Sequence, residues 1–183
     1  KALVSALTRR GIQGEVTDGL VPGTHRIRYA IQNNPKISII IPTKDSVEIL
    51  QRFLQSILEK TLYENYEIVI VDNQSVEKKT FEYYEKFREN QKIKLLRYDR
   101  PFNFSAINNY AVTKVDSPYI LFLNNDTEVI AGEWLTAMLE YAQQERIGAV
   151  GAKLLYPDNT IQHAGIIIGI IGDPAIGGHS HRH

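Results

Sequence analysis

Ile37-Ser-Ile-Ile-Ile-Pro-Thr-Lys-Asp45, followed by Val47-Glu-Ile-Leu-Gln-Arg-Phe-Leu-Gln-Ser-Ile-Leu-Glu-Lys60, decides the architecture. The first stretch opens on four isoleucines broken only by Ser38, with no alternation of apolar and polar residues, the pattern of a strand covered on both faces. The second places Val47, Leu50, Phe53, Leu54 and Ile57 on one helical face. Asp45 with Glu48 has the spacing of a capping box, which makes Asp45 the expected N-cap of that helix. The same alternation recurs along the chain: Glu67–Asp72 then Glu77–Glu89, Ile93–Tyr98 then Phe104–Val115, Tyr119–Leu123 then Gly132–Glu145. Tyr119-Ile-Leu-Phe-Leu123, like the first two strands, is continuously apolar and is expected to be covered on both faces. Strand, helix, strand in regular succession predicts an α/β fold: a mainly parallel central sheet with helices on both faces.

Around this centre, residues 1–34 read as a lead-in or linker, with a short helix at Ala2–Arg9, a break at Gly11 and Gly14, and an extended Thr24–Ile31. Residues 35–183 form the main domain. After Gly148, Ala149–Tyr156 and Ile161–Ile168 read as strands flanking a Pro157-Asp158-Asn159 turn. A glycine-rich tail follows, in which His179, His181 and His183 alternate; on a strand they would share one face and permit metal binding, but the tail reads as a frayed chain end. Hydrophobic residues at 43% and charged residues at 23% are ordinary globular values. Lys+Arg and Asp+Glu both total 21, so the chain lacks the basic field of a nucleic-acid binder and must hold any anionic ligand locally. The absence of cysteine excludes disulfides, zinc thiolates and cysteine nucleophiles. No apolar run approaches the ~20 residues of a membrane span.

In an open parallel sheet, ligands bind beyond the carboxyl ends of the strands. Those ends are polar here: Pro42-Thr43-Lys44-Asp45, Asp72-Asn73-Gln74-Ser75 and Asn124-Asn125-Asp126-Thr127-Glu128. No glycine-rich phosphate loop accompanies them, so the counter-charge for a phosphate ligand is expected to be a divalent cation, Mg²⁺ or Mn²⁺, with Asp126 as its first-choice ligand. An Asn-Asn-Asp triplet is also a common turn, and that reading stands beside the metal one. Asp72, straight after a fully apolar run, is expected to face the crevice. Asp45 has a capping role and a ligand contact as alternatives. Asn103, Ser105 and Asn109 either cap and decorate the third helix or reach the ligand. His163 either borders a second-substrate side or is structural. Tyr83, Tyr84 and Phe87 read as helix packing.

Ser38-Ile-Ile-Ile-Pro-Thr-Lys-Asp45, Ile70-Val-Asp-Asn73, Pro101-Phe-Asn-Phe-Ser-Ala-Ile-Asn-Asn109, Leu123-Asn-Asn-Asp-Thr127 and Ile161-Gln-His-Ala-Gly165, in this order, resemble the family 2 glycosyltransferases. The resemblance runs from about Pro35 to the C-terminus, and is nearest to bacterial polysaccharide and rhamnosyl-type transferases. It implies a GT-A fold, a UDP- or dTDP-type nucleoside-diphosphate sugar donor, Mg²⁺ or Mn²⁺, inversion at the anomeric carbon, and a saccharide or lipid-linked saccharide acceptor. Carried over, Asp72 would accept from a ring N–H of the base, with Pro42 and Thr43 lining the base pocket. Asn124 and Asn125 would meet the ribose or sugar, and Asp126, the last acid of the DxD-like motif, would coordinate the metal. Asp45, Asn73, Ser105 and Asn109 complete the implied donor-binding set, with His163 on the acceptor side. Asn124 stands where the commoner motif has Asp, which leaves out one metal contact. The family's general base matches a motif further downstream than His183, so the resemblance implies a C-terminally truncated domain that binds donor but transfers poorly or not at all alone. Its implied location is cytoplasmic, peripheral at the inner face of a membrane in the full-length protein. Two other readings remain at this point: a non-catalytic nucleotide-sugar-binding module, and a nucleotidyltransferase, against which the missing triphosphate loop counts.

Overall fold

The computed structural model describes residues 1–165 and two short strands at 167–168 and 177–178. His179, His181 and His183 lie outside the described residues. The chain divides into two compact units, Gln32–Leu135 and a second made of Lys1–Ile31 with Thr136 onward.

The first unit holds a four-stranded parallel sheet. Its strands are β3 (Ile37–Thr43), β4 (Tyr66–Asp72), β5 (Ile93–Arg97) and β6 (Tyr119–Phe122), in the spatial order β5-β4-β3-β6. Between them run α2 (Val47–Lys60), α3 (Lys78–Glu85) and α4 (Phe104–Val112). Alternate residues of the two central strands feed two separate cores. Ile40, Val69 and Val71 pack with Tyr98 and with Ile107 and Ala111 of α4. Ile39, Ile41, Ile68 and Ile70 point the other way and are equally sealed. Tyr84 of α3 reaches Asp72 on that face, and α3 lies beside α2, whose Leu50, Phe53, Leu54 and Ile57 are buried. Burial of each such side chain is worth about 1.5–3 kcal/mol, which is why helices must cover both faces of β3 and β4.

Three expectations are corrected here. β6 is not covered on both faces among the described residues: Ile120 and Phe122 are exposed, because β6 is the edge of the four-stranded sheet and the helix on their face, α4, lies over the central strands β3 and β4. Gly14 is not a break but the first residue of a strand, β1 (Gly14–Asp18), which pairs antiparallel with β2 (His25–Tyr29). The segment read as Ala149–Tyr156 is a strand only at β7 (Leu154–Leu155), and Ile161–Ile168 is two strands, β8 (Ile161–His163) and β9 (Ile167–Ile168). Gly148 and Gly151 weaken the first, a bulge separates Leu154 from Leu155, and Gly165 at φ 123° interrupts the second. β10 (Gly177–Gly178) pairs antiparallel with β9.

In the second unit, α1 (Ala2–Arg9) contacts β1, and the hairpin packs on α5 (Trp134–Ala142), the helix whose first two residues still belong to the first unit. Glu140, 2% exposed, anchors the hairpin: Arg28 Nε lies 3.6 Å and Arg26 Nη2 4.0 Å from its Oε1. Tyr29 meets Tyr141 edge-to-face at 5.4 Å, and Gln143 Nε2 donates to the carbonyl of Ala30. No helix among the described residues is long and apolar enough to cross a membrane.

Candidate active site

The exits of β3, β4 and β6 are fastened to one another at the carboxyl edge of the sheet. Thr43 is the hub: its carbonyl accepts the backbone N–H of Asn73 at 2.8 Å, and its hydroxyl accepts Asn125 Nδ2 at 2.9 Å. Both Thr43 and Asn73 are buried. Asn73 Nδ2 donates to the carbonyls of Tyr98 at 3.1 Å and Arg100 at 2.8 Å, which ties in the exit of β5 as well. With both amide hydrogens committed, the orientation of the Asn73 side chain is fixed, and its Oδ1 takes no hydrogen bond among the described residues.

Asp72 departs from expectation. Instead of facing a crevice it is 1% exposed, with Tyr84 Oη donating to Oδ1 at 3.0 Å and Arg97 Nη1 3.1 Å from Oδ2. The Oδ2 contact is an ion pair without hydrogen-bond alignment, so this buried oxygen is held by charge. Arg97 is held in turn by Asp99, and stacks over the Phe81 ring at 5.5 Å. Burial pushes the Tyr84 phenol far up, and the neighbouring Asp72 carboxylate adds to this, so Tyr84 remains a donor. The sequence carried no signal for this trio. Arg97 meets Asp72 through the β4–β5 register, and Tyr84 through the pitch of α3.

Asp45 is also reassigned. The N-cap of α2 is Ser46, with no side-chain hydrogen bond, and the capping box does not form. Asp45 turns away at φ 48°, followed by Ser46 at 54°, and its Oδ1 accepts the backbone N–H groups of Val76 at 3.0 Å and Glu77 at 2.9 Å and the Thr80 hydroxyl at 3.3 Å. It therefore braces the segment that leads into α3 (Val76 and Glu77) and, through Thr80, the first turn of that helix. Its own N–H donates to Ser75 Oγ at 2.7 Å. Desolvation opposes ionisation of Asp45, but the Glu77 and Val76 N–H groups, Thr80 and the Lys44 charge outweigh it and hold the carboxyl below its ordinary value.

The remaining candidates lie at the surface. Asn124 and Asp126 are exposed, Asn125 and Pro42 half-buried. Thr127 Oγ1 donates to the carbonyl of Asn124, closing a turn that leaves the Asp126 carboxylate with no hydrogen bond or ion pair among the described residues. Asn103 caps α4 by accepting the Ala106 N–H at 2.9 Å. Ser105 and Asn109 are exposed one turn apart, and no hydrogen bond links either to Thr43 or Asn125. His163 closes β8 opposite Leu154, in the second unit. Tyr83, Tyr84 and Phe87 do pack together, at ring distances of 5.3 and 5.8 Å.

Residues 38–165, which contain every one of these strand exits, match the family model described as glycosyl transferase family 2. The chain belongs to that family. It is 41% identical over 172 residues to the O-antigen biosynthesis protein RfbC of Myxococcus xanthus, an alignment covering 94% of this chain and 13% of that protein. The glycosyltransferase domain thus spans a small part of a much longer relative. Among solved structures it resembles the mannosyltransferase PcManGT of Pyrobaculum calidifontis in complex with GDP-Man and Mn²⁺, with TM-score 0.59 and 15% identity over 86% of this chain and 44% of that one. It also resembles GalNAc-T7 with UDP, GalNAc and Mn²⁺, with TM-score 0.55 and 21% identity over 64% of this chain and 22% of that one. At these identities the likeness establishes the fold, an α/β GT-A fold as expected.

Among the described residues of this glycosyltransferase domain, no three His, Asp or Glu side chains group into a metal cage. A lone exposed carboxylate on a braced turn nevertheless fits a hard divalent ion that takes its other ligands from a diphosphate and water. Asp126 is the acid so placed, and Asn124 contributes no second charge.

Proposed function

We propose that this domain binds a nucleoside-diphosphate sugar, of UDP or dTDP type, at the carboxyl edge of the sheet. In the full-length protein it would transfer the sugar with inversion to a saccharide or lipid-linked saccharide acceptor during cell-surface polysaccharide synthesis. The observation that carries this reading is the Thr43 hub, which fastens Asn73 and Asn125 into one rigid edge and leaves Asp126 unengaged beside it.

Each residue then has a physical task. Asn73 Oδ1, fixed by two carbonyls, accepts a ring N–H of the base, the role the resemblance gave to Asp72; buried Asp72 supports the edge from beneath through Tyr84 and Arg97. Pro42 and Thr43 form the wall of the base pocket, and Asn124 and Asn125 meet ribose or sugar. Ser105 and Asn109 belong to the same proposed donor set through α4. Asp126 would hold Mg²⁺ or Mn²⁺, which when bound neutralises the charge developing on the leaving diphosphate.

Calorimetric titration with UDP, dTDP and GDP, with and without Mn²⁺, tests this on the wild type, Asp126→Ala and Asn73→Ala. Binding of a pyrimidine diphosphate should require Mn²⁺, and Asp126→Ala should weaken it by at least about tenfold with an unchanged melting temperature. Mn²⁺-independent binding that Asp126→Ala leaves intact would sink the assignment.

A further inference from the structure

Most cations of the first unit are taken up by the fold. Lys36 and Arg97 stand in ion pairs, Lys60 and Lys94 donate to backbone carbonyls, and others lie against glutamates or over tyrosine rings. Lys44, Arg52 and Arg100 do not: each is exposed, with no hydrogen bond, ion pair or ring contact among the described residues. Arg52 lies on α2, whereas Lys44 and Arg100 both follow strands at the carboxyl edge of the sheet.

These two cations ride on the segments that hold Asn73. The peptide groups on either side of Lys44 are both fixed, since the Thr43 carbonyl accepts the Asn73 N–H at 2.8 Å and the Asp45 N–H donates to Ser75 Oγ at 2.7 Å. Arg100 is tied to Asn73 from the other side: its carbonyl accepts Asn73 Nδ2 at 2.8 Å, and Pro101 restricts its backbone further. The acid next to each cation in sequence is committed elsewhere, Asp45 to Val76, Glu77 and Thr80, and Asp99 to Arg97. Positive charge is therefore left uncompensated on both segments that meet the fixed Asn73 carboxamide.

A carboxamide oxygen flanked by two donors is complementary to an acceptor–donor–acceptor edge. Uracil and thymine present that edge as O2, N3–H and O4. Guanine places an amino group beside its N1–H, and cytosine has an amino group at C4 and no N3–H, so with either base a cation meets a donor. We propose, resting on the donor reading above, that Lys44 and Arg100 select the base: with Asn73 Oδ1 accepting N3–H, each donates to one of the two flanking ring carbonyls of uracil or thymine.

Calorimetric titration of the full chain with UDP, dTDP, CDP and GDP in Mn²⁺, repeated on Lys44→Met and Arg100→Met, is the test. The wild type should bind UDP and dTDP about a hundredfold more tightly than CDP or GDP. Each variant should lose about tenfold for UDP and dTDP while its affinity for CDP and GDP stays within about threefold. Both variants should melt with the wild type, because neither side chain has a partner in the fold. A wild type that binds UDP, with variants that bind all four nucleotides as it does, would overturn the base-selecting role and leave the donor reading intact. Equal losses for all four would overturn it too, since they make the cations counter-charges for the diphosphate, as would a variant that melts early. A wild type that binds none of the four in Mn²⁺ would overturn the donor reading and the base-selecting role together.

Discussion

Replacing Asp72 separates a residue that supports the site from one that touches ligand. In Asp72→Asn the amide oxygen can still accept from Tyr84, so the loss is the charge facing Arg97. Because Arg97 is 49% exposed and rehydrates, the cost is discounted to about 1–2 kcal/mol. Asp72→Ala also strands the buried Tyr84 hydroxyl and leaves a small void, for a total of about 3–4 kcal/mol. At roughly 2–4 °C per kcal/mol for a chain of this length, the melting temperature should fall by about 2–8 °C in the Asn variant and about 6–16 °C in the Ala variant. Circular dichroism melts give these shifts, and UDP titration at a temperature where both variants are folded gives the affinity. UDP binding should survive in Asp72→Asn within about threefold, as expected of a group that never meets the base. Two variants that melt like the wild type and bind no UDP would refute the reasoning and return Asp72 to the base pocket.

Asp45→Ala removes the acceptor shared by Val76, Glu77 and Thr80 and should cost about 1 kcal/mol, read in the same melts. Because its folded-state value is depressed below 3.8, Asp45 contributes stability at pH above that value and loses it as pH falls through the folded value. Asp45→Asn should therefore show a shallower loss of melting temperature below about pH 4 than the wild type. Gly132→Ala would place a Cβ 2.6 Å from the Lys60 carbonyl oxygen and 2.9 Å from Leu62 Cγ, where the Leu62 N–H bonds the Gly132 carbonyl. About 1–3 kcal/mol should be lost, measured by urea unfolding, and an unchanged midpoint would show that the loop yields freely.

Several features were legible because they are written locally. The apolar runs Ile37–Ile41, interrupted only by Ser38, and Ile68–Val71 specified strands buried on both faces, and the period of Leu50, Phe53, Leu54 and Ile57 specified the helix that follows the first. The bounds of α1 and α2 were read correctly for the same reason. A sheet of such strands must present its loops at the carboxyl edge, so the strand-exit residues could be named as candidates before any coordinates. Tyr119–Phe122 misled because composition does not say whether a strand is central or at an edge; that depends on which strands pair.

The sequence by itself determined the fold class, the family motifs and which strand exits carry carboxylates and amides, since these follow from hydrophobic period and residue order. Only the tertiary structure decided what each polar group faces. Asp45 lies on the Val76 and Glu77 N–H groups ahead of α3 rather than on those of α2, and Asp72 lies between Tyr84 and Arg97 rather than in the crevice. The partners in each case are 12 to 35 residues distant along the chain. They meet through strand register and helix pitch, and a carboxylate goes to whichever donors that packing brings within 3 Å or so, which no local pattern encodes.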